Sequence, residues 1–261
     1  MDPEQSARMA ATRRGFLGVA AGVGAGVAAA SFDGVFGIGS AMAAGDTLAS
    51  ILNLAATGEA LAVTCYYTCI TGAGFLIDEP SRDHLRRVLG AELHHSQILQ
   101  ALGAQPLQRR FSLPDGMLAD ARTFVETAIR IEKSLTSVYL AATQQLAGQG
   151  RPALVATAAQ LGASEAQHLT LISHLAGLVP VGETLPSLDP SQVSATAPSL
   201  APFLRGAAGF GMAVTCPARS ACEAAIGNLA IERVQPFAAA ATGKSRAART
   251  APPAGMASAV S

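Results

Sequence analysis

One phrase of residues is written twice in this chain, 73 positions apart, and the repeat limits what the chain can fold into. Glu59 is matched by Glu132, Tyr66 by Tyr139, Glu92 by Glu165 and His95 by His168. Each copy has a Glu, a Tyr seven residues on, and then a Glu-x-x-His motif. Residues three apart on a helix share a face, so the carboxylate and imidazole of each motif can converge on one point. Tyr at the seventh position lies two turns on, on the same face as its Glu. A lone Glu-x-x-His occurs on many exposed helices by chance. Four coincidences at one offset are explained more simply by an internal duplication of a helix hairpin.

The patterning between these anchors is helical. Asp46 or Thr47 can cap a first helix that runs to Gly72, with Leu52, Ala55, Ala56, Glu59, Ala62, Val63 and Tyr66 on or near one face. Pro80-Ser81-Arg82-Asp83 opens a second helix, with Ser81 as candidate cap, which ends at Leu102 before Gly103. A loop containing Pro106 and Pro114 leads to a third helix, Asp115 to Leu146. Arg151-Pro152 opens a fourth, which ends near Gly177 ahead of Pro180. Two short connections and one long crossover, between the second and third helices, give an all-α antiparallel four-helix bundle over 44–180.

The flanks read differently. Thr12-Arg13-Arg14-Gly15-Phe16-Leu17, a Gly/Ala-rich apolar run to Phe32 and the small-x-small triplet Ala41-Met42-Ala43 make residues 1–43 a twin-arginine signal peptide. An uncleaved anchor is the alternative, but the Gly content and Asp33 suit a membrane helix poorly. Residues 181–240 are expected to form a linker and an extra helical segment. The part up to 203, with Pro186, Pro190, Pro198 and Pro202, reads as linker without an element of its own. Residues 241–261 read as a disordered tail.

Charge excludes one class of partner. Eighteen basic residues balance eighteen acidic ones, with no basic stripe, so nucleic acid is not an expected ligand. The four cysteines contain no Cys-x-x-Cys; Cys65 and Cys69 read as buried packing residues, and the sequence leaves open whether Cys216 and Cys222 pair. Glu126 lies about 120° round the third helix from Glu132 and has no matching Glu at the repeat offset, so it reads as a solvated or helix-pairing residue. His94 points away from His95 and reads as a rim residue. His84 and His174 lack a Glu at the required spacing, and Arg86-Arg87 and Arg109-Arg110 read as solvated faces.

The repeated set has its own requirements. Four Glu and two His on inward faces would be destabilising as bare charges, because buried carboxylates lose solvation and repel one another. Two divalent cations would neutralise the four carboxylates, and mixed carboxylate and imidazole ligation suits iron or manganese, with zinc also admitted. Residues 45–178 resemble the ferritin-like superfamily, and more narrowly exported bacterial ferritin-like domain proteins related to plant desiccation-related proteins. The likeness is carried by Glu59-x6-Tyr66, Glu92-x-x-His95 with Leu99-x-x-Leu102-Gly103-Ala104, Ile131-Glu132-x6-Tyr139-Leu140 and Glu165-x-x-His168. It implies Glu59 and Glu132 as terminal ligands, Glu92 and Glu165 as bridging carboxylates, and His95 and His168 as one imidazole per metal. Tyr66 and Tyr139 would then hydrogen-bond ligands from behind, their alternative being ordinary core filling.

The expectation is therefore a protein exported by the twin-arginine translocase to the periplasm or cell surface, with a carboxylate-bridged pair of iron or manganese ions. It would be an oxidoreductase that oxidises iron(II) with dioxygen or peroxide, or handles peroxide. A metal-free bundle with a stress-related structural or binding role is the alternative. An iron-storage cage fits less well with the signal and the long tail, and association into a homo-oligomer is left open.

Overall fold

The computed structural model describes residues 46–180 and 192–238. The signal peptide and the tail expected at 241–261 lie outside the described residues. Four long helices carry the fold: α1 (Leu48–Gly72), α2 (Glu79–Ala101), α3 (Ala121–Gly148) and α4 (Pro152–Leu175). The fold is all-α and ferritin-like in its helix order. α1 packs along α2 and α3 along α4, and α1 also packs on α3, whereas α2 and α4 touch only sparsely. Tyr66 reaches Glu132 while Tyr139 reaches Glu59, so α1 and α3 run antiparallel.

Local chemistry sets the helix ends. The Thr47 hydroxyl accepts from Ser50 N at 3.1 Å and caps α1. Asp78, and not Ser81, caps α2: its carboxylate accepts from Ser81 N at 2.7 Å, and Pro80 stands in the first turn, where no amide hydrogen is needed. α2 stops at Gly103, whose φ of +90° a side chain would oppose. α3 starts six residues later than expected. Asp115–Ala119 turn instead of coiling, and the Asp120 carboxylate accepts from Thr123 N at 2.9 Å.

By length and composition α1 could cross a membrane, yet 72% of its most apolar stretch is buried within the protein. Its Ala-rich face permits close approach. A Cβ at Gly58 would lie 2.6 Å from Leu135 Cδ2, so any side chain there would force the buried Leu135 to shift.

The long crossover is not bare loop. Within it β1 (Arg110–Leu113) pairs antiparallel with β2 (Met212–Thr215), Arg110 opposite Thr215 and Leu113 opposite Met212. Phe111 and Leu113 point inward. A 3-10 turn, Val193–Thr196, and α5 (Ala197–Arg205) occupy part of the stretch expected to be linker. Pro198 sits in the first turn, where no amide hydrogen is needed, whereas Pro202 lies inside the helix and costs it one backbone hydrogen bond. Phe203 is fully buried, edge-on to Phe210 at 5.2 Å, with the Arg130 guanidinium 5.5 Å from its ring centroid.

After α6 (Arg219–Ile226), residues 229–238 form a strap across the α2–α4 seam. Arg87 donates to Ala230 O at 2.9 Å, and His94 Nε2 meets Val234 O at 3.1 Å. On α4, Gln160 Oε1 accepts from Phe237 N at 3.0 Å and Thr157 Oγ1 accepts from Ala238 N at 2.9 Å. A Cβ at Gly90 would lie 2.1 Å from Ile231 Cδ1, so glycine lets the strap lie flat on α2. Arg87 is thus a tether and not merely a solvated residue. Arg86 is half-buried and pairs with Asp83 at 3.0 Å. All four cysteines are free thiols, with Cys65, Cys69 and Cys222 buried.

The cap assignment can be tested by thermal melts. Asp78→Ala should cost about 1 kcal/mol and lower Tm by about 2–4 °C. Ser81→Ala, which leaves the cap carboxylate in place, should leave the melt nearly unchanged.

Candidate metal centre

Each functional side chain is delivered by one long helix. α1 supplies Glu59 and Tyr66, α2 supplies Glu92 and His95, α3 supplies Glu132 and Tyr139, and α4 supplies Glu165 and His168. All six acidic and imidazole residues meet at the bundle centre. The four carboxylates are fully buried, and His95 and His168 retain only 6% and 7% exposure.

The ligand-type atoms fall into two overlapping groups. Glu59, Glu92, His95 and Glu165 form one, and Glu92, Glu132, Glu165 and His168 form the other, with the atoms of each group within 4.8 Å of one another. Such groups could hold metal ions. Glu92 and Glu165 belong to both. The distances repeat the duplication: His95 Nδ1 lies 2.9 Å from Glu165 Oε1, and His168 Nδ1 lies 2.7 Å from Glu92 Oε1. His95 Nδ1 is 3.6 Å from Glu59 Oε2, and His168 Nδ1 is 3.7 Å from Glu132 Oε2. The imidazole rings stack at 5.8 Å with 21° between their planes.

These short contacts lack hydrogen-bond alignment. Glu59 Oε2, Glu132 Oε2, both oxygens of Glu92 and of Glu165, and Nδ1 of both histidines are buried without a hydrogen-bond partner. Buried polar atoms are nearly always paired. Eight orphans converging on two points are therefore a donor set directed at something between them, and its oxygen and nitrogen chemistry fits divalent transition metals. The atoms on the far sides are satisfied. Tyr66 Oη donates to Glu132 Oε1 and Tyr139 Oη donates to Glu59 Oε1, each a short, buried hydrogen bond from α1 to α3 or back.

Protonation follows from crowding. Burial, then the charges of Glu165 and Glu92, push the Glu59 carboxyl well above its ordinary range. Burial and the Glu92 charge do the same to Glu132. For Glu92, burial acts upward, but the His168 and His95 imidazoles outweigh it and hold the group well below the usual carboxylate range. Burial disfavours the charged imidazoles, yet the facing carboxylates, Glu165 and Glu59 for His95 and Glu92 first for His168, raise both well above the ordinary histidine value. Burial and the neighbouring carboxylates also push both tyrosine hydroxyls upward, so they remain donors.

The remaining singled-out residues lie apart. Glu126 is exposed and pairs with Arg122 at 2.7 Å. His94 faces the strap, while His84 and His174 are exposed. Two neighbours of the centre were not read as such from the sequence: Ser164 went unmarked, and Cys65 was read only as a packing residue. Ser164 Oγ lies 3.5 Å from His168 Nε2, and Cys65 is close enough for the Glu132 charge to add to the upward push of burial on its thiol. Their counterparts in the other copy are Ala91 and Val138, so the repeat could not reveal them.

In metal-free protein the sign of the pH effect follows from these shifts. Glu59 and Glu132 keep protons above 4.5, where the unfolded chain loses them, and His95 and His168 keep protons above 6.5. The folded state then binds more protons than the unfolded one, and stability falls as pH rises through that window; Glu92 acts oppositely only in more acid solution. Chelator-treated protein should thus melt at a higher temperature at about pH 5.5 than at about pH 8. Scanning calorimetry at the two pH values checks this, and a higher melt at the alkaline value would contradict it.

A family model described as the ferritin-like domain matches residues 47–178, a span that starts at the Thr47 cap and ends just beyond α4. No curated protein and no solved structure matches the chain.

Proposed function

The chain belongs to the ferritin-like domain family, and from that premise we propose that it is an exported protein whose bundle centre binds a carboxylate-bridged pair of iron or manganese ions. The observation that carries the reading is the set of eight unpartnered buried atoms arranged as two four-residue groups sharing Glu92 and Glu165. In this reading Glu59 and Glu132 would each hold one ion, and Glu92 and Glu165, which belong to both groups, would help hold both. His95 and His168 each bind through Nδ1, the nitrogen that faces the carboxylates.

A redox-active metal pair held there would supply two-electron chemistry toward a small oxidant such as dioxygen or peroxide. The protein's own residues create the conditions for it. The carboxylates hold the positive charge in place, and burial keeps bulk water away from the centre. Tyr66 and Tyr139 each keep a proton on the hydroxyl and hold one oxygen of a terminal Glu, fixing the direction of its other oxygen. The Tat-type segment at 1–43 supports a periplasmic or cell-surface location.

Metal analysis of protein produced with iron and manganese supplied tests the proposal. Wild type should hold two ions per chain. Because Glu92 and Glu165 are shared, Glu92→Ala or Glu165→Ala should lose both ions, whereas Glu59→Ala or Glu132→Ala should lose one. Chelation should remove roughly 3–4 kcal/mol of stability for a site held well above its dissociation constant. A wild-type chain that is metal-free under these conditions, with a melt indifferent to chelator, would instead favour the structural bundle.

A further inference from the structure

The duplication repeats something besides the ligands. Two small cavities lie toward opposite ends of the bundle, and six of the eight residues lining the smaller are 73-residue partners of residues lining the larger. Ile51 in the larger is matched by Phe124 in the smaller, Leu99 by Ile172, and Ala158 by Leu85. The bulkier Phe and Leu stand at the smaller cavity, and Ile and Ala at the larger. The larger cavity has a volume of about 20 Å³ and the smaller about 10 Å³. A molecule the size of water needs about 10–15 Å³ on this measure, so only the larger has clear room for one.

The larger cavity also borders a residue that touches the centre. Tyr139 forms part of its wall, and that tyrosine's hydroxyl is bonded to Glu59. At the other end Phe124 intervenes, edge-on to Tyr66 at 6.2 Å, and Tyr66 does not line the cavity. The occupant's chemistry follows from the wall. Apart from Tyr139, Thr157 brings the one side-chain polar group, and both hydroxyls are committed: Tyr139 to Glu59, Thr157 to Ala153 O and Ala238 N. Water or hydrogen peroxide would find no free partner there, and ordered water needs two to four. A small apolar molecule needs none.

We propose that the cavity bounded by Ile51, Ala158 and Tyr139 is a binding site for dioxygen, which approaches the Glu59/His95 half of the centre through it, while Phe124 closes the corresponding approach to the Glu132/His168 half. This rests on the metal reading above and narrows its oxidant from dioxygen or peroxide to dioxygen.

Xenon is the probe, applied to the full chain without metal by pressurised crystals or xenon NMR. One xenon should occupy the Tyr139 cavity and none the Phe124 cavity. Ile51→Phe, which installs the residue its twin already accommodates, should abolish binding, and Phe124→Ile should create a second site. Ala158→Leu serves the same purpose should Ile51→Phe fold poorly. In iron(II)-loaded protein, Ile51→Phe should keep the wild-type metal content yet react several-fold more slowly with dioxygen and at an unchanged rate with hydrogen peroxide. No xenon in the wild-type cavity, or an unaltered dioxygen rate in a variant that has lost xenon, overturns the proposal. Failure of the metal reading would show separately, as absent metal in wild type with xenon binding intact.

Discussion

The mutual burial of four carboxylates and two imidazoles is the constraint on which the rest of this structure depends. No arrangement of protons makes the six groups comfortable: Glu59 and Glu132 are driven toward neutrality, Glu92 toward charge, and both histidines toward the cation. Such a cluster persists only where surrounding packing is strong enough to hold it, which explains the dense apolar layers above and below it. Leu61, Leu89, Ile131 and Leu135 are fully buried around the polar centre. The tyrosines connect the two regimes. Their rings belong to the apolar layers and their hydroxyls to the acidic centre, each crossing from one helix hairpin to the other.

The bundle and the six central residues were legible because duplication makes them redundant: each spacing is written twice, and helical periodicity converts spacing into direction. What escaped was written once. β1 and β2 are four residues each and lie about a hundred positions apart, and neither Arg110–Leu113 nor Met212–Thr215 is long enough to show a period. α5 escaped because Pro198 and Pro202 read as breakers, although Pro is compatible with a first turn and this helix is short. Asp78, two residues before Pro80, escaped notice as the α2 cap, because only the backbone direction shows whose oxygen faces the free amides.

Where the two copies have diverged is as informative as where they agree. Ligands and tyrosines match, while their surroundings do not: Cys65 faces Val138 across the repeat, Ser164 faces Ala91, and Ile51 faces Phe124. The two halves of the centre thus have equal ligand types in unequal settings. Divergence confined to the shell leaves the charge balance of the donor set untouched, since none of these exchanges adds or removes an ionisable carboxylate or imidazole.

The strap carries a consequence for the order of events during synthesis. Domains form from the N-terminal side as the chain emerges, so α1 to α4 can associate before residues 229–238 exist. α2 and α4 touch sparsely on their own, and the tethers from Arg87 and His94 on one side and Gln160 and Thr157 on the other come last. The nascent bundle therefore passes through an interval in which its helices are in place and the α2–α4 seam is not yet spanned. That interval ends only once residues 229–238 have emerged, which makes closure of this face the last step in assembling the bundle.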